Sequence, residues 1–269
     1  MENIIISDKN KYEEIIRNIS EGFSNLHILS DFDKTLTKEF INEKRPSLIS
    51  VLRRQNILED YSKKAYELFD YYNPIEIDPN IDIEEKKIQM TIWWEKHLDL
   101  LVHSLKRQDI DKAINSIIRF REVKDFLKKM QVENVPVIII SANGLSDSNY
   151  LFLEQNNVLF DNIKVISNSF IWDENIAVSY NKPVIHVFNK DETVLKSFPD
   201  IYGNIVARKN VILLDSLGDP GMITFDYDSL LKIFLNDKID ELLEEYKKNY
   251  DVVIIDEFDF VNEIIEIKK

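Results

Sequence analysis

The sequence has no cysteine, so no disulfide can brace the fold and a zinc centre would lack its usual thiolate ligands. The four histidines, His27, His97, His103 and His186, do not fall at zinc-type spacing, and packing or hydrogen bonding is expected of them. Long apolar runs are missing as well. Val135 to Ile140 is typical of the longest, far below the roughly 18 residues that span a bilayer. Glu2, Asp8, Lys9 and Lys11 interrupt the start before an apolar leader core can form, so no signal peptide is expected and the chain is placed in the cytoplasm. Basic charge is scarce: 34 Lys and Arg against 48 Asp and Glu give a net charge of -14, which argues against general affinity for nucleic acid or an anionic membrane. What remains is a 269-residue chain with 44% hydrophobic and 30% charged residues, the composition of a globular protein. Its length suits one core domain with a smaller insertion, and a monomer is expected.

Ser30-Asp31-Phe32-Asp33-Lys34-Thr35-Leu36-Thr37 follows Leu26-His27-Ile28-Leu29, a short apolar run of strand type. The two aspartates should emerge where a buried strand gives way to a loop, the place where open α/β sheets keep their chemistry. Carboxylates at i and i+2 repel one another on the same side of the chain, and a hard divalent cation such as magnesium is a suitable counter-charge. One carboxylate could then attack phosphorus while the other exchanges protons with the leaving group. A solvated Asp-rich turn is the plainer reading. The apolar run before it and Thr35-Leu36-Thr37 after it resemble the first motif of the haloacid dehalogenase-like phosphohydrolases.

Apolar residues at helical spacing over 9–23 predict an amphipathic helix before this strand. From about Ser47 to Ser116 the pattern is helical, with a loop expected around Pro74 and Pro79, and residues 41–116 are assigned to a helical cap. Residues 1–40 and 117–269 form the expected core. Strands are predicted at Val135–Ile140, Lys164–Ser167, Val211–Leu214 and Val252–Ile255, a hairpin between Phe170 and Tyr180, and helical spacing over Leu230–Tyr246. Val184–Lys190 is read as a further strand with Lys190 at its end. Strands alternating with helices predict a doubly wound parallel sheet of Rossmann type.

Three more polar positions fall just after predicted strands. Ser141 and the amides beside it could hold a phosphoryl oxygen, or simply cap a helix. Lys190 could neutralise a phosphoryl group, or be a solvated lysine. Asp215 and Asp219, four apart across a turn containing Gly218, could complete a magnesium site with Asp31, or form a capping pair.

The order of these groups, together with Glu76-Ile77-Asp78-Pro79, Ile185-His186-Val187-Phe188-Asn189-Lys190 and Phe234 through Leu243, resembles the cytosolic 5'-nucleotidases of type III, the pyrimidine 5'-nucleotidase family. The resemblance runs from about Leu26 to the C-terminus. It implies a magnesium-dependent 5'-nucleotidase that hydrolyses nucleoside 5'-monophosphates, CMP and UMP favoured, with a 7-methylguanylate-specific enzyme as the alternative. It implies Asp31 as nucleophile and Asp33 as acid and base. Magnesium would be held by Asp31, the main-chain carbonyl of Asp33 and Asp215, with Asp219 acting through water. Ser141, Ala142 and Lys190 would hold phosphate, and Glu76 would read the base, since a carboxylate accepts from an exocyclic amine.

Trp94 could stack on the nucleobase, where it would attract a cationic base; core packing is the simpler account of paired tryptophans. The sequence departs from the family pattern in three places. Leu214 replaces the glycine before the metal aspartate, the segment before the cap is short and has no cysteine, and the serine expected near His97 is missing. Two rivals complete the reading. Asp33-Lys34-Thr35-Leu36-Thr37 also resembles the phosphorylated motif of cation-pumping ATPases, against which the missing membrane segment speaks. The other is a non-catalytic nucleotide-binding module disabled by Leu214.

Overall fold

The computed structural model describes residues 3–20, 22–38, 48–55, 58, 60–117, 123–142, 146–216, 220–238 and 241–256. Its centre is a seven-stranded sheet. The strands are β1 (Ile4–Ile6), β2 (Leu26–Ser30), β3 (Val137–Ile140), β4 (Ile163–Ile166), β7 (Asn210–Asp215), β8 (Ser229–Asn236) and β9 (Val252–Ile255), in the spatial order β1-β9-β8-β7-β2-β3-β4. All neighbours run parallel except β1, which pairs antiparallel with β9 at one edge. A separate hairpin joins β5 (Phe170–Asp173) to β6 (Ile176–Tyr180).

Every residue of β2, β3 and β7 is buried, as a parallel strand covered on both faces requires. Alternation divides their side chains between two apolar layers. Leu26, Ile28, Val137, Ile139, Ile212 and Leu214 pack with Ile15 and Ile19 of α1 (Lys9–Ser20) and with Phe126 of α6 (Lys124–Val132) and Leu153 of α7 (Ser146–Gln155). Leu29, Ile138, Ile140, Val211 and Leu213 face the other way, toward Leu195 and toward Ile205 of α8 (Pro199–Ile205). Helices on both faces of a mainly parallel sheet are the doubly wound architecture expected from the sequence.

Between β2 and α6 the described chain is mainly helical: α2 (Leu48–Gln55), α3 (Tyr61–Ile77), α4 (Ile83–Asp99) and α5 (Arg107–Ile117). The hairpin grips the end of this insertion, since His103 N–H donates to Ala177 O at 2.7 Å and Ala177 N–H to Leu105 O at 3.0 Å.

Three expectations are corrected. The loop forecast around Pro74 is mostly helix, because α3 runs through Pro74 to Ile77; the carbonyl that loses its donor belongs to the exposed Asp70, where water can replace it. The helix forecast over Leu230–Tyr246 is strand β8 followed by α9 (Leu243–Asn249). A strand buried between β7 and β9 is apolar on both faces, and such a run has no readable period. The strand forecast over Val184–Lys190 is an irregular segment.

Candidate active site

The parallel strands β2, β3 and β7 end side by side, and their next residues are Asp31, Ser141 and, as the last residue of β7, Asp215. From β2 the chain proceeds to β3 and β4 on one side, then returns to β7 on the other. The strand order thus reverses beside β2, where an open α/β sheet has its crevice.

Asp31 is almost fully buried, at 3% exposure, and its N–H donates to Leu214 O at 3.0 Å, continuing the β2–β7 ladder. Its Oδ1 accepts from its neighbour's amide, Phe32 N, at 2.6 Å, and pairs with Lys190 Nζ, also at 2.6 Å. Among the described residues Oδ2 has no such partner. Asp33 follows in a tight turn closed by the Lys34 N–H donating to Thr37 Oγ1 at 2.9 Å, with Lys34 in the left-handed region at φ 64°. The main-chain carbonyl of Asp33 accepts from Ser216 Oγ at 3.2 Å, which places it beside the end of β7.

Asp215 is buried at 2% exposure; Tyr250 donates to its Oδ2 at 2.6 Å and Ser216 N–H to its Oδ1 at 2.8 Å. Burial pushes its pKa above the ordinary carboxylate value, and Asp31 adds repulsion, against the opposing influence of Lys190 and these two donors. Lys190 shows the reverse balance. Burial works against its charge, but attraction to Asp31 first and Asp215 next holds its pKa above the ordinary lysine value.

Lys190 reaches this place through a braced segment rather than a strand. The buried Asn168 accepts from Ile185 N and donates to Ile185 O, each at 2.7 Å. Asn189 accepts from His186 N at 2.7 Å and donates to Val184 O at 2.9 Å. Phe188 N–H donates to His186 Nδ1 at 3.2 Å, so the ring proton lies on Nε2, which meets Thr91 Oγ1 of α4 at 3.1 Å. Asn168, which completes the brace, lay outside the sequence reading; a buried asparagine next to a hairpin was its only signal.

A cleft of about 390 Å³ joins the two halves of the molecule, lined from the core by Asp31, Asp33, Ala142 and Lys190 and from the inserted helices by Arg53, Glu76, Trp93, Trp94 and His97. Asp31, Asp33, Ala142, Lys190, Glu76 and Trp94 are therefore brought together. Ser141 is buried at the end of β3 with its N–H donating to Ile166 O at 2.9 Å, and does not line the cleft. Asp215 lies just beneath, within electrostatic reach of Asp31 and Lys190. Asp219 falls outside the described residues.

Glu76 is half-buried; desolvation raises its pKa, and Lys86 partly opposes the shift. Trp94 lies nearly parallel to Trp93, at 29° and 6.5 Å, and to His97, at 27° and 5.6 Å. His97 is buried and bonded through Nε2 to Tyr61 Oη at 2.7 Å, its pKa depressed to about 3 by burial, with Arg53 adding to the effect. His27 and His186 are buried like His97, in keeping with packing, whereas His103 is exposed. Leu214 sends its side chain into the apolar layer that holds Ile28 and Ile212, not into the cleft, and β7 keeps its pairing register on both sides.

Two buried carboxylates and one largely buried lysine leave an excess of negative charge at the strand ends. Oxygen donors in this number suit a hard divalent cation, so the residues fit a magnesium ion.

The profile of the family described as Pyrimidine 5'-nucleotidase (UMPH-1) matches residues 34–268, beginning just after the two aspartates. The 7-methylguanosine phosphate-specific 5'-nucleotidase A of Xenopus laevis is 35% identical over 266 residues, covering 94% of this chain and 91% of the relative. The enzyme of the same description from Homo sapiens is 31% identical, covering 93% and 87%. Among solved structures, cytosolic 5'-nucleotidase IIIB bound to cytidine superimposes with a TM-score of 0.84 at 27% identity, over 99% of this chain and 94% of that one. A substrate-bound phosphoserine phosphatase, at TM-score 0.51 and 19% identity over 91% and 98%, shares the fold alone. The chain belongs to the pyrimidine 5'-nucleotidase family, a family of phosphoric monoester hydrolases built on the haloacid dehalogenase-like fold.

Proposed function

We propose that this chain is a magnesium-dependent 5'-nucleotidase that hydrolyses nucleoside 5'-monophosphates, pyrimidine ones favoured, through a phosphorylated Asp31. The reading rests on the buried Asp31–Lys190 pair, 2.6 Å apart, in a cleft that also holds Asp33 and, from the inserted helices, Glu76 and Trp94. Lys190 occupies Oδ1 of Asp31, so Oδ2 is the oxygen that attacks phosphorus. As the bond to the 5'-oxygen breaks, Asp33 gives that oxygen a proton and the nucleoside leaves. Asp33, now a carboxylate, takes a proton from water, whose oxygen attacks the same phosphorus. Inorganic phosphate departs and Asp31 is restored.

Lys190 and the amides following β3 hold the phosphoryl oxygens, where preorganised donors are worth most. Asp31, the carbonyl of Asp33 and Asp215, with Asp219 acting through water, would hold magnesium, which would supply positive charge against the phosphoryl group. Residues 41–116 act as the cap that selects the base, with Glu76 accepting from an exocyclic amine such as that of cytosine. A cytoplasmic monomer is part of the same proposal. Among the described residues no helix is long and apolar enough to cross a membrane.

One observation favours a second reading. Trp94 lines the cleft, and an indole face attracts a cationic base such as 7-methylguanine. The test is phosphate release from CMP, UMP, dTMP, AMP, GMP and 7-methyl-GMP, with magnesium and with chelator. Release confined to magnesium and to one or two nucleotides supports the proposal. No release from any of them returns the chain to the non-catalytic alternative.

A further inference from the structure

Arg53, in the last turn of α2, has no role in the mechanism above, yet it lines the same cleft as Glu76 and Trp94. Its guanidinium carbon lies 4.9 Å from the ring centroid of Phe69 and 5.8 Å from that of Tyr66, so aromatic faces hold it in place. Its Nε is buried and has no hydrogen-bond partner among the described residues, nor does any described carboxylate pair with it. Trp93, which lines the same cleft, also has a buried Nε1 without a hydrogen-bond partner among the described residues. Buried donors left unpaired are costly, and a ligand that satisfies them recovers that cost. The cap therefore offers two unused donors, one of them cationic, and one carboxylate acceptor, Glu76.

We propose that Arg53 sets the base selectivity of this cleft, favouring a neutral nucleobase with oxo or ring-nitrogen acceptors and working against the cationic 7-methylguanine base. The inference rests on the cleft being the nucleotide site, as proposed above. A neutral base meets the whole set. Cytosine, for instance, has acceptors at O2 and N3 for the two donors and an amino group for Glu76. 7-Methylguanine fails twice. Methylation removes the N7 acceptor that an arginine would use, and the positive charge it creates stands beside a guanidinium with no described counter-ion. This selection opposes the pull of the Trp94 face, and a full charge in a desolvated cleft outweighs an aromatic quadrupole.

The test compares kcat/KM for CMP and 7-methyl-GMP, at low salt with magnesium, in the wild type, Arg53→Gln and Arg53→Lys. The ratio of two substrates in one preparation does not depend on how much of the protein is active. The wild type is expected to prefer CMP. Arg53→Gln should move the ratio toward 7-methyl-GMP by about tenfold or more, and Arg53→Lys, which keeps the charge, should hold it within about threefold. A ratio unmoved in Arg53→Gln, an equal shift in Arg53→Lys, or a wild-type preference for 7-methyl-GMP overturns the inference. If Arg53→Gln does not fold, Arg53→Met, which retains an apolar stem against Phe69, gives the same reading.

If the wild type releases no phosphate from any nucleotide, the catalytic proposal fails separately. Calorimetric affinities for cytidine and 7-methylguanosine then carry the comparison. A tenfold shift between wild type and Arg53→Gln upholds the role of Arg53, and no shift, or no binding of either nucleoside, overturns it.

Discussion

Replacing Lys190 by methionine isolates the charge balance at the centre of the site. The Lys190 side chain is 13% exposed and that of Asp31 4%, with 2.6 Å between Nζ and Oδ1. Unit charges about 4 Å apart at an effective dielectric of about 20 attract by roughly 4 kcal/mol. Removing one partner of a buried pair costs about 3–5 kcal/mol, because the other charge is stranded. Here two carboxylates are stranded, since Asp215 also leans on Lys190.

Urea unfolding of Lys190→Met in EDTA at pH 7 should therefore show a loss of about 3 kcal/mol or more. Magnesium should narrow the gap, because a divalent cation can take over the compensation. The pH dependence has a definite sign. The folded-state pKa of Lys190 lies above its ordinary value of 10.5, so its contribution is complete below pH 10.5 and is lost as pH rises through the folded value. Turnover with magnesium should fall about 100- to 1,000-fold, the range for removing one preorganised electrostatic donor. A gap below about 1 kcal/mol in EDTA would refute the argument.

Asp31→Asn should abolish phosphate release, while Asp33→Asn should slow it by about 100- to 10,000-fold, and near-normal rates in either would reassign the roles. Asp215→Asn should separate stability from function. The raised pKa of Asp215 means that its ionised form disfavours the apo fold, so apo stability in the wild type declines as pH rises through that pKa and the variant should escape this decline. Its magnesium requirement should nevertheless rise by at least about tenfold, measured as the half-saturating concentration. Trp94→Ala should lower 7-methyl-GMP turnover relative to CMP by about 2- to 30-fold if the indole stacks on the base, and an unchanged ratio removes it from the base site. Asn168→Ala leaves Ile185 N–H and C=O unpaired in a buried segment; a loss of about 2–4 kcal/mol by urea unfolding is expected, and less than 1 kcal/mol would mean that the Lys190 segment is braced otherwise.

Much of the site could be read from the sequence because its residues follow strands. An apolar run ending in a carboxylate or a serine announces both a buried parallel strand and the edge where polar groups emerge, as with Leu29 before Asp31 and Ile140 before Ser141. The helix α1 (Lys9–Ser20), forecast over residues 9–23, was legible for a similar local reason, since Ile15 and Ile19 recur at helical spacing on one buried face. The exceptions have physical causes. β8 carries apolar side chains on both faces and hides its period, and α3 passes Pro74 because the carbonyl it deprives of a donor faces water.

By itself, then, the sequence determined the buried strands that lead into the site, the strand-end carboxylates and the family to which they belong, all of which depend on residues near one another in the chain. Only the tertiary structure decided the rest. It drew Lys190 onto Asp31 through a segment stapled by Asn168, turned Leu214 into the core and away from the cleft, and brought Arg53 and Glu76 into one cleft with the strand-end aspartates. These are contacts between groups far apart along the chain, fixed by the packing of the inserted helices over the sheet, and no local pattern encodes them.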